Sequence, residues 1–114
     1  MNANPLPLRI GPLVSSPLVR RSAHNPILTP QQVPYGPALV FNAGVCKYDG
    51  QYVMVFRNDY GNAGTRELEP HHTTDLGLAF SRDGVHWDVR PEPCLKLHDE
   101  EIVRVYDPRL TVID

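Results

Sequence analysis

The amino-acid sequence predicts an all-β fold of the sandwich, barrel or propeller type, and three observations lead to this prediction. Short β-type runs recur after Leu39, glycine and proline turns separate them, and no segment has a convincing helical period. Several short strands with turns between them are typical of all-β architectures. The pattern by itself does not choose among the three architectures.

Residues 1–20 are predicted to be an extended N-terminal arm. Pro5, Pro7, Pro12 and Pro17 exclude a regular helix there, because each proline removes a backbone donor and fixes φ. The arm is either disordered or packed across another subunit or a later part of the fold. Packing on another subunit would make the protein a homo-oligomer.

A first hairpin is predicted in the remaining domain, residues 21–114. Its strands are expected at residues 39–47 and 51–57, on either side of Tyr48-Asp49-Gly50. Asp-Gly is a hairpin signal because glycine accepts positive φ.

A second hairpin is predicted farther along the chain. Its strands are expected at residues 76–80 and 85–89, joined by Ser81-Arg82-Asp83-Gly84. Residues 103–105 and 110–113 are predicted to begin a further pair of strands, because both are short β-type runs.

Composition excludes several classes of function. A net charge of -2 and scattered basic residues, apart from Arg20-Arg21, give no reason to expect a nucleic-acid or anionic-membrane partner. No apolar run approaches the roughly 20 residues that span a bilayer, and the first residues do not resemble a signal peptide. We therefore expect a cytoplasmic protein. Cys46 and Cys94 are too few and too far apart to indicate a disulfide framework.

Five segments carry a resemblance to a known family. They are residues 25–30 (NPILTP), 40–45 (VFNAGV), 52–57 (YVMVFR), 81–87 (SRDGVHW) and 105–111 (VYDPRLT). In their order and spacing they resemble the opening of glycoside hydrolase family 130, the β-mannoside phosphorylases and related mannosidases. The resemblance covers residues 21–114.

The resemblance implies a five-bladed β-propeller with its active site at the central channel. A propeller blade is a four-stranded sheet, so residues 21–114 are expected to hold the first blade and the start of the second. Because a blade buries its faces against neighbouring blades, we expect an N-terminal fragment of a longer protein, inactive by itself. The Ser-x-Asp-Gly-x-x-Trp segment resembles an Asp-box hairpin, which gives Asp83 and Trp87 a structural role.

Asp107 is the candidate general acid. Proline biases the residue before it toward an extended backbone, and burial beside Val105 and Tyr106 is expected to make this Asp bind its proton more tightly than a solvated one. The residues alone also allow Asp107 to cap a turn or pair with Arg109. The resemblance implies that Asp107 passes its proton through the 3-hydroxyl of bound mannose while inorganic phosphate attacks with inversion, giving α-mannose 1-phosphate.

Asn42 and Arg57 match family positions that bind the mannose beside the cleaved bond. An amide offers a donor and an acceptor to neighbouring hydroxyls, and Arg presents a planar fork of donors. The alternatives are a bulge or turn for Asn42 and an exposed strand end for Arg57.

Two weaker candidates for the substrate site are Arg109, expected on the same side of a strand as Asp107, and Asp59, expected to order a loop or reach a sugar hydroxyl. The pair His71-His72 is expected to be a loop element rather than a metal site, since adjacent strand residues point to opposite sides. No metal and no organic cofactor are expected, and phosphate is the co-substrate.

Two other functions remain open from the sequence. An inverting β-mannosidase of the same family would share these residues, because the residues that bind phosphate or activate water are expected outside this chain. A sugar-binding or structural β module without turnover is the second alternative. The sequence does not determine the acceptor sugar.

Overall fold

The computed structural model of the protein describes residue 14 and residues 16–62, 67–68, 70 and 72–114. In these parts the chain forms a 3-10 turn, Pro30–Gln32, and the strands β1 (Leu39–Tyr48), β2 (Gln51–Asp59), β3 (Gly61–Asn62), β4 (Glu67–Leu68), β5 (Thr74–Ser81) and β6 (Asp88–Val89). The predicted all-β class is confirmed. Most of the N-terminal arm expected at residues 1–20 lies outside the described residues. In the described segments no helix is long and apolar enough to cross a bilayer.

Four strands form one antiparallel sheet in the order β1-β2-β5-β6, and β3 pairs with β4 separately. The first predicted hairpin is confirmed, with Tyr48 opposite Gln51. Between them Asp49 and Gly50 have φ of 49° and 74°. Positive φ at both central residues is typical of a type I′ turn, whose twist matches that of the flanking strands. The turn therefore sets the register of β1 against β2.

The second predicted hairpin also forms, but its second strand is shorter than expected. Of residues 85–89, only Asp88–Val89 pairs with β5, whereas the sequence predicted a strand from residue 85. The carboxylate of Asp83 accepts hydrogen bonds from the backbone N–H groups of Val85 and His86, each at 2.8 Å. The N–H groups of these two residues already have hydrogen-bond acceptors within the turn, so β6 begins only after them.

The predicted strands at residues 103–105 and 110–113 are wrong, because no described residue of this segment lies in a strand. The hydroxyl of Thr74 instead donates to the carbonyl oxygen of Val105 at 2.6 Å and accepts from its N–H at 2.7 Å. One side chain thus replaces the two hydrogen bonds that a neighbouring strand would make. A φ of 54° at Asp107 also interrupts the extended backbone.

The core lies on one face of the four-stranded sheet. Buried Val33, Met54, Phe56 and Ala79 form its centre, and the partly buried side chains around them are Ile27, Leu28, Tyr35, Val40, Trp87 and Val89. The segment before β1 therefore covers this face. A Cβ at Gly77 would overlap the Phe56 ring and the Tyr35 hydroxyl, so only glycine lets these rings pack on β5.

Candidate active site

Three side chains from separate parts of the chain meet beside β1. Asn42 Nδ2 donates to Asp107 Oδ1 at 2.8 Å, and Arg57 Nη1 lies 4.0 Å from the same oxygen. Asn42 and Asp107 line a cleft of about 510 Å³, together with residues 43–45, Arg109 and Leu110. The expected acid and the two expected sugar ligands are thus neighbours in space.

A β-bulge turns Asn42 toward Asp107. Phe41 pairs with Arg57 and Gly44 pairs with Val55, so Asn42 and the following residue together oppose a single residue of β2. A bulge re-aims the side chain at that point of the strand, and Asn42 has φ of 51°. The bulge that the sequence left open as an alternative for Asn42 is therefore present, and it brings the Asn42 amide to Asp107.

Gly44 lets the segment after β6 cross β1 at close range. A Cβ at this position would lie 2.7 Å from the carbonyl oxygen of Pro108 and 3.4 Å from the Cα of Arg109. Backbone atoms cannot yield as a flexible side chain can, so a larger residue at position 44 would push this segment away. Because Gly44 has no side chain, the segment that carries Asp107 can lie close to β1.

Arg57 is held by one carboxylate and two aromatic rings. Its Nε and Nη2 donate to the two carboxylate oxygens of Asp59 at 2.5 and 2.7 Å, and its guanidinium carbon lies 4.5 Å from the ring centre of Phe41 and 5.2 Å from that of Tyr106. The hydrogen bonds with Asp59 raise the pKa of Arg57, and burial opposes them. The alternative of an exposed strand end is wrong, since this side chain is only 17% exposed.

Asp59 is neither a loop residue nor a residue open to a sugar. It is the last residue of β2 and is fully buried. Besides Arg57 it contacts His72, whose Nε2 lies 3.0 Å from Asp59 Oδ2. Residues two apart on a strand share one face, which explains the pairing of Arg57 with Asp59. His72 was expected to be a loop element, and it does lie outside the strands, in the segment before β5, where it is half-buried against this carboxylate. His71 lies outside the described residues.

The local setting of Asp107 differs from the expected one. Its backbone has positive φ rather than the extended conformation favoured before proline, and its side chain is 43% exposed rather than buried beside Val105 and Tyr106. The reason is that Tyr106 packs against Arg57 instead of over the carboxyl group. Asp107 therefore faces the cleft as an open carboxyl group that a bound ligand could cover.

Arg109 does not pair with the carboxyl group of Asp107. Its Nη1 donates to the carbonyl oxygens of Asp107 and Pro108 at 3.3 and 3.1 Å. The expected strand alternation between positions 107 and 109 is wrong, because Asp107 has a left-handed backbone conformation and the segment is not a strand. Arg109 holds the backbone of this segment, and it lines the cleft.

A second polar cluster lies on the core face and was not anticipated. Asn58 Nδ2 donates to Asp75 Oδ1 at 2.8 Å and to the hydroxyl of Tyr35 at 3.1 Å, and Tyr60 donates to Asp75 Oδ2 at 2.8 Å. Burial raises the pKa of Tyr35 to about 12 and also raises that of Tyr60. Both phenols stay neutral donors and acceptors, so the cluster joins the segment before β1 to the sheet.

Comparison with known proteins confirms the family that the sequence motifs resemble. Residues 13–114 match the profile of glycoside hydrolase family 130, described as beta-1,4-mannooligosaccharide phosphorylase. A beta-1,4-mannooligosaccharide phosphorylase of Ruminococcus albus is 29% identical over 119 aligned residues, covering 96% of this chain and 32% of that protein. The chain thus spans about a third of the length of this curated relative.

A solved structure from Bacteroides thetaiotaomicron, described as a candidate glycosidase, shares the fold. It matches with a TM-score of 0.53 and 24% identity, over 72% of this chain and 26% of that one. At this identity the likeness concerns the fold alone. The family profile, in contrast, covers nearly the whole sequence, and the chain therefore belongs to glycoside hydrolase family 130.

Proposed function

We propose that the chain is the N-terminal part of a longer cytoplasmic enzyme, an inverting β-mannoside phosphorylase. The observation that carries this proposal is the hydrogen bond between Asn42 and Asp107 with Arg57 beside it. The Ruminococcus albus relative, a beta-1,4-mannooligosaccharide phosphorylase, supports the substrate class. Inorganic phosphate is the proposed co-substrate, bound by residues outside this chain, and no metal or organic cofactor takes part.

In the proposed reaction an oxygen of phosphate attacks the anomeric carbon of mannose from the face opposite the leaving sugar. The bond to the bridging oxygen breaks, and that oxygen takes the proton of the mannose 3-hydroxyl, which Asp107 replaces with its own. The products are α-mannose 1-phosphate and a sugar shortened by one residue. A mannoside in the cleft would cover the open carboxyl group of Asp107 and exclude water from it.

Asn42 and Arg57 would hold the sugar in this scheme. Asn42 gives one amide hydrogen to Asp107, and its carbonyl oxygen is an acceptor suited to a sugar hydroxyl. Arg57 offers Nη1, the nitrogen that Asp59 does not engage. Asp59 then acts on the sugar only through Arg57, and Arg109 contributes by holding the backbone on which Asp107 sits.

The four-stranded sheet is proposed to be the first blade of a five-bladed propeller. Val53, Val55, Leu78 and Phe80 lie on the face opposite the core, where Val53 pairs with Phe80 and Val55 with Leu78. All four are only partly buried. A following blade would cover them, and the N-terminal arm is proposed to contact another subunit or a later part of the fold.

The proposal is tested by assaying the whole protein with β-1,4-mannobiose and phosphate, and by measuring α-mannose 1-phosphate. General acid catalysis contributes about 10²- to 10⁴-fold, so Asp107→Asn is expected to lower turnover by at least about a hundredfold without changing the melting temperature. Near-normal turnover would remove Asp107 from the mechanism. Release of mannose without phosphate, at a rate that added phosphate does not change, would identify a β-mannosidase. Binding of the mannoside without turnover would identify a sugar-binding module.

A further inference from the structure

His72 contacts the proposed sugar site from behind, without reaching Asp107. Its Nε2 lies 3.0 Å from Asp59 Oδ2, and the two side chains are only 14% and 1% exposed. A half-buried imidazole on a fully buried carboxylate is an interaction largely shielded from water, so it is stronger than a surface pair.

The Asp59 carboxylate accepts from three nitrogens. Two belong to Arg57, at 2.5 and 2.7 Å, and the third is Nε2 of His72. Because the Asp59 oxygens already accept from the guanidinium, we assign the tautomer of His72 in which Nε2 is the donor of this contact. Two donors from Arg57 alone would let the carboxylate and guanidinium rotate together. The third donor comes from a different part of the chain, the segment just before β5, and fixes the plane of both.

The backbone around His72 is itself anchored. The carbonyl oxygen of His72 accepts from Nε of Arg104 at 3.4 Å, and the next residue, Thr73, accepts the N–H of Tyr60 at 3.3 Å. His72 is therefore tied to the end of β2 and to the segment that leads to Asp107. A change in the position of His72 would therefore affect both of these segments.

We propose that His72 is a positioning residue for the sugar site. It fixes the Asp59 carboxylate, which holds the Arg57 guanidinium between the rings of Phe41 and Tyr106 with Nη1 toward Asp107. This inference rests on the proposed function and extends it to a residue that touches neither the sugar nor the acid.

Three substitutions in the whole protein separate this role from simple packing. His72→Gln places an amide nitrogen near the position of Nε2, His72→Asn places its amide one atom short of it, and His72→Phe keeps the ring without a donor. Loss of a hydrogen bond to a charged group is expected to raise the mannoside KM about tenfold in the Asn and Phe variants. The turnover number should change less than about threefold, and His72→Gln should stay within about threefold of wild type in both constants.

The matched control is His86→Gln. His86 also pairs with an aspartate, since its Nδ1 lies 2.7 Å from Asp83 Oδ2, but it is 82% exposed and lies in the turn before β6. This variant should leave both kinetic constants unchanged. Equal KM values for wild type, His72→Asn and His72→Phe would overturn the proposal. So would equal losses in His72→Gln and His72→Asn, which would indicate packing rather than hydrogen bonding.

A second measurement does not depend on turnover. The Nε–H signal of Arg57 in a ¹H–¹⁵N spectrum, assigned by its loss in Arg57→Lys, should shift in His72→Asn and stay in place in His72→Gln. An unchanged signal in His72→Asn would overturn the positioning role. If wild-type protein does not cleave mannosides while this signal shifts as expected, the proposed function is wrong and the control of Arg57 by His72 stands.

Discussion

Asn42 and Asp107 are 65 residues apart in sequence, and the amide of the first donates to the carboxylate of the second at 2.8 Å. Both residues have a left-handed backbone, with φ of 51° and 54°. Such a conformation costs a residue other than glycine about 1 kcal/mol or more, and it persists where surrounding contacts enforce it. Here the bulge in β1 and the close passage of Pro108 over Gly44 enforce it.

Two substitutions at Asn42 distinguish the effect of its backbone conformation on stability from the effect of its amide group on activity. Asn42→Gly and Asn42→Ala both remove the donor to Asp107, so each is expected to lower kcat/KM for the mannoside by about tenfold or more. The glycine variant should be the more stable by about 1 kcal/mol, because alanine at positive φ is strained. Asp49→Gly and Asp49→Ala, at a φ of 49° in the first hairpin turn, are the control pair. Full activity of Asn42→Gly would show that the amide has no part in the site.

Arg57→Lys is expected to raise the mannoside KM by about tenfold or more. Lysine keeps the charge but lacks the planar fork that binds Asp59 through two nitrogens and stacks between two rings. The control is Arg90→Lys, because Arg90 also stacks on an aromatic ring, with 4.8 Å to the centre of Phe80, and lies away from the cleft. Steady-state kinetics of the two variants test the prediction, and equal KM values would contradict it.

Gly44→Ala is expected to impair catalysis while leaving the fold intact. The new methyl group would lie against the Pro108 carbonyl oxygen, and displacing Asp107 by about 1 Å costs about a hundredfold in rate. We expect kcat/KM to fall by about that factor with a small change in melting temperature. A variant with normal kinetics would show that the segment carrying Asp107 adjusts freely.

Gly77→Ala is the contrasting case, with an effect on stability. Its methyl group would enter the space of the Phe56 ring and the Tyr35 hydroxyl, and overpacking of a core typically costs about 1–3 kcal/mol. The melting temperature should fall well below that of Gly44→Ala. The opposite order of the two melting temperatures would contradict the packing described for this face of the sheet.

The turn before β6 gives a prediction on pH. The His86 side chain and the N–H groups of His86 and Val85 hold the pKa of Asp83 well below its usual range. A carboxyl group of this kind stabilises the folded state fully above its unfolded pKa of about 3.9, and this stabilisation is lost as pH falls toward the folded-state pKa.

We therefore expect wild type to be more stable than Asp83→Asn at pH 7, and the difference to shrink as pH falls from about 5 toward about 2. Urea unfolding of both proteins across this range is the measurement. The exposed Asp88, on β6, provides Asp88→Asn as the control. A difference between wild type and Asp83→Asn that does not change with pH would contradict the role of the ionised carboxylate.

Much of the sheet was predictable because its signals are local. Asp49-Gly50 and Asp83-Gly84 mark turns through the positive φ of glycine, and both hairpins form. The predicted third pair of strands is wrong because β-type runs at residues 103–105 and 110–113 indicate only that a segment can be extended. The backbone of Val105 is instead hydrogen-bonded to the side chain of Thr74, which is 31 positions away in sequence.

The site was predictable only in part. Asn42, Arg57 and Asp107 were found through motif resemblance, and the structure brings them together, whereas the expected burial of Asp107 and its strand partnership with Arg109 were wrong. His72 had no signal beyond its neighbour His71, and the cluster of Asn58 with Asp75 had none. A polar residue in a strand can be exposed or buried with a partner, and the neighbouring residues in the sequence do not identify that partner.

The sequence by itself therefore determined the all-β class, the two hairpins and the residue types available for sugar chemistry, since turn geometry and strand alternation act over a few residues. The tertiary structure alone decided how these groups meet: the bulge that aims Asn42, the closeness of Pro108 to Gly44, and the chain of contacts from His72 through Asp59 to Arg57. These depend on contacts between distant segments, whose geometry arises only when the sheet and the segment after it pack together.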